Sequence, residues 1–474
     1  MRNYNYVKLT VLSYLIGRTG RARSEKPAEI TVFLSLMLSV LLSFIYVLIR
    51  GSRLEASKYK IESAMDAGLT SCLSEYSKEL YDRFDLLYID TAYRSEEGGI
   101  DRLSEHLSAY VEENLRDNQS GLVRVSLMDT RITEVELASD HEGGDIMKQA
   151  VSYIEDFGET KYTEILDKNS GDPDFDPKKH KDFLREWDEH LAELRNVGLG
   201  GNPAERVREM SYDRQYLLLQ GTSGSLYKLN YSDVPSKRQL EKGSHIGSSS
   251  ANINSHTDND IFVEYLMQKL GCYTEDAGEQ ALRCELEYML FGKLSDKENL
   301  EEVFDALLSH REEINRRIFE NSPDMIEEAE RIAKDSLPED KQDERWRLIN
   351  AVKYAWVYAE AFIEVNRMLC GGQCSTKPLR SCVILPVDEL LRFPEYLGGD
   401  GGKGLTYKEY LGLMLRKCSV SENRKRFMDI VEMDIRRKEN DLFRIDRCVE
   451  YIQAECFFQC GYGLEKRIQR AAAY

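Results

Sequence analysis

Ile30–Ile49, ITVFLSLMLSVLLSFIYVLI, is twenty consecutive residues without a charge, closed by Glu29 on one side and Arg50 on the other. At about 1.5 Å per residue, a helix of that length covers the roughly 30 Å hydrocarbon core of a bilayer. The rest of the chain is more polar. Of 474 residues, 42% are hydrophobic and 31% charged, which suits a folded, water-exposed body and is too apolar for a disordered one. The expectation is a single membrane-spanning helix carrying a large body, in a chain long enough for more than one domain.

Charge is unevenly spread on the two sides of that run. Residues 1–50 hold seven basic side chains (Arg2, Lys8, Arg18, Arg21, Arg23, Lys26, Arg50) and two acids, Glu25 and Glu29. The remainder holds 57 basic against 81 acidic side chains. So acidic a body repels phosphates, and no nucleic-acid partner is expected. Under the positive-inside rule the six basic residues before the run make 1–29 a cytoplasmic tail and place the C-terminal body outside the cell membrane. Arg50, Arg53, Lys58 and Lys60 weaken this contrast without reversing it. A cleaved signal peptide would have a shorter apolar core and a small-x-small site. Here Arg50-Gly51-Ser52-Arg53 follows the run, and the nearest candidate cut, before Ser57, has Leu54 two positions ahead of Ala56. The run reads as a retained anchor, with the lipid bilayer as its first partner.

Beyond the anchor the helical spacing continues through Ile61, Met65, Leu69, Leu73, Tyr76, Leu80 and Phe84, with no proline from Ala28 to beyond Phe84. It predicts one helix from about 30 to 82, its first half suited to lipid and its second to packing against protein. Residues 50–160 then read as a membrane-proximal helix and an α+β unit. A strand is predicted over Phe84–Asp90, a helix over Ile100–Leu115, strands at Val123–Leu127 and Ile132–Leu137, and a helix at Ile146–Phe157 after Gly143-Gly144. Residues 161–259 are rich in turn formers and read as irregular and partly flexible, with a charged helix at His180–Leu194. Residues 260–370 read as a helical insertion with helices at Ile261–Leu270, Ala277–Leu290, Asn299–Phe319, Asp324–Asp335 and Trp346–Leu369. In the C-terminal segment, 371–474, a strand-like Ser381–Pro386 precedes helices at Val387–Arg392, Tyr407–Arg416 and Glu422–Arg436, the last leading to Leu442–Ala454. A hairpin of Glu455–Gln459 and Leu464–Gln469 closes the chain around Gly461-Tyr462-Gly463.

No motif names a reaction. Gly398–Gly404 contains Gly402-Lys403, but a phosphate loop needs glycine at 397 and Ser or Thr at 404, where Leu397 and Gly404 stand. Asp140-His141-Glu142 has ligand chemistry but no H-E-x-x-H, and reads as a solvated loop. His180 and His190 are ten residues apart and do not share a helical face. Ser244–Ser255 has no G-x-S-x-G elbow. The ten cysteines leave buried thiols, disulfides or, through Cys370-x3-Cys374-x7-Cys382 and Cys456-x3-Cys460, zinc as alternatives, of which buried or free thiols are favoured. The reading assigns no catalytic, cofactor-binding or metal residues, and expects a protein that is not an enzyme and needs no cofactor.

Several stretches taken together resemble a known group. They are Ile30–Leu36 with its amphipathic continuation, Phe84–Asp90, Asp140–Gly144, Glu285–Lys293, Gly404–Leu411 and Gly461–Gly463. They are similar to a family of uncharacterised single-pass envelope proteins of Gram-positive anaerobes, allied to the TadE/TadG-like pseudopilins of tight-adherence pilus systems. The resemblance spans most of the chain, least over 160–255. It implies an α+β fold in which a pilin-like unit is closed by the C-terminal hairpin around a large all-helical insertion. It also implies a non-enzymatic envelope component with membrane or pilus-assembly partners. A pilin precursor would be cut after a glycine five residues before a glutamate; Gly20 and Glu25 have that spacing, but Arg21–Ala28 are not apolar, which argues against such processing. The alternative function is a membrane-tethered ectodomain that binds a peptide, glycan or wall polymer.

Overall fold

The computed structural model describes residues 27–95, 99–116, 123–169, 174–210, 227–228, 233–244, 256–275, 280–399, 401–438 and 440–474. The basic tail up to Lys26, Gly20 and Glu25 included, lies outside them, as does most of the Ser/Asn-rich stretch near 250.

The apolar run sits in α1, Pro27–Leu73, a single helix of 47 residues and so about 70 Å long. Every side chain described from 29 to 52 is exposed, and burial begins only with Ser57, Ile61, Met65, Leu69 and Cys72. Among the described residues this is the one helix long and apolar enough to cross a membrane. It ends at Leu73 rather than near 82. The chain turns at Ser74 and Glu75, and α2 (Lys78–Phe84) starts afresh with Ser77 as N-cap, its Oγ accepting the Leu80 N–H at 3.4 Å. The Ser77 N–H donates to Tyr88 O at 2.7 Å, a tertiary bond that a continuous helix would forbid.

Four strands form one sheet: β1 (Ile89–Asp90), β2 (Val125–Leu137), β3 (Cys448–Cys460) and β4 (Leu464–Ala473). The order is β1-β3-β2, with β4 also pairing β3; Ile89 lies opposite Val449 and Asp90 opposite Cys448, antiparallel. The strand expected over Phe84–Asp90 is thus cut to two residues, and the two strands expected between 123 and 137 are one. The closing hairpin is present but longer than expected, because within Leu442–Ala454 a short 3-10 turn at Ile445–Arg447 leads straight into β3. Ser381–Pro386 likewise contains no strand, only the 3-10 turn Arg380–Cys382.

The helices of the body are α3 (Ile100–Arg116), α4 (Asp140–Phe157), α5 (Lys161–Lys168), α6 (Pro177–Asn196), a further one over 203–210, α7 (His256–Lys269), α8 (Glu285–Phe291), α9 (Asp296–Glu320), α10 (Pro323–Ser336), α11 (Gln342–Leu369), α12 (Tyr407–Lys417) and α13 (Val420–Lys438). The helix expected at Ala277–Leu290 is confined to α8. The charged helix α6 buries Phe183, Trp187, Leu191 and Leu194 against α9 and α11. Its charge lies on one face and its apolar residues on the other, as an amphipathic core helix requires. Phe84, Phe262, Tyr265 and Phe427 meet edge-on or stacked at 5.6–6.3 Å between centroids and join α2, α7 and α13. All ten cysteines are unbridged, seven of them buried.

The chain divides into two compact units. One takes α1 as far as Gly68, the described parts of 109–129, and the hairpin tip 456–468. Its buried residues include Ile61, Met65, Val111, Leu115, Cys456 and Phe458. The other holds Leu69–Ser108, Thr130–Glu455 and Gln469–Tyr474, and contains the whole contiguous apolar core and both sites described next.

Candidate functional site

Two places in the larger unit bring polar side chains together in a way that packing alone does not explain. The first is a cleft of about 830 Å³ between the end of α5, the start of α6, α9, α12 and the 376–378 loop. Lys168, Lys179, Arg317, Lys377 and Lys417 line it, against Asp174, Asp176 and Glu313. Lys179 pairs with Asp174, and Arg317 with Glu313 at 2.8 Å, one helical turn apart. The lining is nevertheless net basic, in a protein of formal charge −19. At the cleft wall stands His310, 6% exposed, with its Nε2 lacking a hydrogen-bond partner in the protein. Burial, and then the adjacent Arg311 guanidinium, push its pKa down to about 3, so the imidazole is neutral at physiological pH. Phe175 leans on it at 4.6 Å between ring centres. A neutral ring between cations can hydrogen-bond a ligand that the cations attract.

The second place is where β2 meets α4. His141, Glu142 and Gly143 all take left-handed backbone angles (φ 53°, 58° and 78°) inside what is otherwise helix. Gly143 is pressed on Met428, whose Cε would lie 3.0 Å from an added Cβ. This turn carries His141 back over α4, where its Nδ1 lies 2.9 Å from Asp145 Oδ2 and 3.8 Å from Glu136 Oε1. One donor atom from each of the three residues lies within 4.8 Å of the others. The neighbours of His141 in sequence turn elsewhere. Asp140 Oδ2 accepts the Leu137 N–H at 2.8 Å, and Asp140 also accepts the Gly243 N–H. Glu142 accepts from Ser421 Oγ at 2.9 Å and lies 3.4 Å from Lys425.

Burial, and then the charge of Glu136, outweigh the His141 hydrogen bond and push the Asp145 carboxyl up to about 6. The same hydrogen bond raises the pKa of His141. Glu450, on β3, is pushed up to about 7, first by burial and then by the charge of Asp145. The cluster therefore holds and shares protons near neutrality. By its sequence Asp140-His141-Glu142 reads as a solvated loop. The structure keeps only His141 of the three and adds Glu136 and Asp145, which a strand-end acid followed by H-x3-D on a helix could have flagged. Gly398–Gly404 is a structural turn: a Cβ on Gly402 would lie 2.0 Å from Gln373 O, and one on Gly404 2.1 Å from Cys374 O. His180 is far from solvent, bonded to Glu312 at 2.8 Å, while His190 packs on Tyr354, so the two form no joint site.

A family model, DUF5702, described as a family of unknown function, matches residues 198–460, more than half of the chain. The chain belongs to the DUF5702 family. No curated protein and no solved structure matches it. The DUF5702 match includes α7–α13 and β3, and with them His310, Arg317, Lys377, Lys417 and Glu450. Glu136, His141 and Asp145 precede it, as do α1 and β2.

Proposed function

We propose that this DUF5702 protein is a non-enzymatic, single-pass envelope component, held in the cell membrane by Ile30–Ile49 with its N-terminus in the cytoplasm and its acidic body outside. We further place it with Tad-like, pseudopilin-type assemblies. The observation that carries the reading is the bare anchor: Leu34, Val40, Phe44 and Val47 are each 58–68% exposed on a helix that the protein itself leaves uncovered there. Twenty such residues in water are costly, at roughly 25 cal/mol per Å² of apolar surface, and lipid or partner helices remove that cost. The resemblance noted above supplies the choice of assembly.

Cys370 gives a direct test of orientation, because it is exposed on the body. On intact cells a membrane-impermeant maleimide should label Cys370, and labelling should vanish in Cys370→Ser. Labelling only after the membrane is opened would reverse the topology. Extraction in mild detergent should co-purify other pilus or secretion membrane proteins, and a partnerless monomer would count against the assembly role.

The basic cleft favours a second reading, a tethered ectodomain that binds an acidic glycan or wall polymer. Binding should then weaken with salt and fall in Lys377→Glu and Lys417→Glu, as measured by co-sedimentation with purified wall material. Salt-independent binding would remove this reading.

A further inference from the structure

We propose that Glu136, His141 and Asp145 are the inner ligands of a divalent metal site of the zinc or manganese class, backed by Glu450 and Tyr88. The donor spacing supports this first. Zinc binds imidazole nitrogen and carboxylate oxygen at about 2.0–2.2 Å, so donors around one tetrahedral ion lie roughly 3.3 Å apart. The observed separations of 2.9 and 3.8 Å bracket that value, and all three atoms fall within 4.8 Å. Small side-chain rotations would exchange the His141–Asp145 hydrogen bond for a shared cation. One imidazole with carboxylates suits zinc or manganese better than calcium, which prefers six to eight oxygens.

A second observation is independent of that spacing. Tyr88 is fully buried and its hydroxyl has no hydrogen-bond partner in the protein. The charges that act on it most strongly are those of Glu450 and Asp145. Glu136 Oε1 and Glu450 Oε2 are also buried without a donor. Buried acceptors left without donors destabilise a fold, and here three carboxylates face one imidazole, with Lys148 acting on Glu450 and Arg424 on Asp145 from nearby. A divalent ion at the Glu136–His141–Asp145 centre places positive charge directly on the three donor atoms.

The test uses the full-length protein in mild detergent, stripped with chelator, alkylated at its accessible thiols, and equilibrated with Zn²⁺, Mn²⁺ or Ca²⁺. One Zn²⁺ or Mn²⁺ per chain should survive desalting, with a higher Tm, and Ca²⁺ should do neither. Glu136→Gln, Asp145→Asn and His141→Asn, the last of which tolerates left-handed backbone, should each lower affinity more than tenfold while keeping the far-ultraviolet circular dichroism. Tyr88→Phe, a positioning change, should lower it by about tenfold. Substoichiometric metal in the wild type, or equal metal retention in the Asp145→Asn and Glu136→Gln variants, would overturn the proposal. So would a wild-type Tm that rises on acidification but not with metal, which would make the cluster a proton-sharing group only.

Discussion

Asp446 lies between two guanidinium groups, 2.8 Å from Arg238 Nη2 and 2.8 Å from Arg444 Nη2, and it accepts the Glu241 N–H at 3.0 Å. Burial opposes its charge, but these hydrogen bonds outweigh burial and hold the carboxyl down at about 2. Its unfolded value is near 3.9, so the stability it contributes is whole above about pH 4 and disappears as pH falls through about 2. Asp446→Asn should cost on the order of 2–3 kcal/mol at pH 7, because Arg444 loses its nearest carboxylate and Arg238 keeps only Glu432. Urea midpoints of the two proteins, measured from pH 7 to pH 2.5, should converge toward acid; a gap that stays constant would sink the argument. Arg311 is the parallel case. Its Nε donates to Glu364 Oε2 at 2.8 Å, and Asn315 donates to the same oxygen at 2.8 Å. Glu364→Ala should cost on the order of 3–5 kcal/mol in the same urea titration at pH 7, because it leaves the buried Arg311 without its carboxylate.

Among the elements, those with a clean 3.6-residue period were legible from sequence, and those whose pattern is broken by buried charge were not. α9, α11, α12 and α13 fall close to their expected bounds because apolar residues recur on one face; at α12, Thr406 and Glu409 also form a capping box. The start of β3 was not legible as strand, because the buried Glu450 spoils its alternation. The polar residue that hides the strand is thus one that belongs to the acidic cluster. The early end of α1 had no visible signal either, since no proline or glycine lies between Ser71 and Phe84. It depends on Ser77 serving as a cap, and Ser77→Ala should cost about 1 kcal/mol in a denaturant titration. Gly404 is a different case. Its φ is 138° and a Cβ would collide with Cys374 O, so Gly404→Ala should cost about 1–3 kcal/mol, and a neutral result would mean that the turn reshapes freely.

At the scale of the whole molecule, the long apolar helix was plain from twenty uncharged residues in a row, while both sites had to wait for the fold. Lys168, His310 and Lys377 come together across more than two hundred residues, and Glu450 reaches the His141 cluster only because the final hairpin strand starts earlier than its sequence suggests. The same separation makes the anchor testable apart from the body. The contiguous core lies within Leu80–Cys448, and the exposed apolar side chains crowd into Ile30–Ile49. A charge at the centre of a membrane helix costs roughly 2.5–3.5 kcal/mol in insertion. Leu38→Asp with Leu41→Asp places two charges on adjacent turns of one helical face, which raises the cost to about twice that. If Ile30–Ile49 spans the bilayer, the wild-type protein should resist alkaline carbonate and leave the membrane only with detergent. The double variant should appear largely in the soluble or carbonate-released fraction, with the thermal transition of its body unchanged. Release of the wild type by carbonate alone would instead mean that the bare face of α1 is covered by partner helices at the membrane surface, and the protein would then be peripheral.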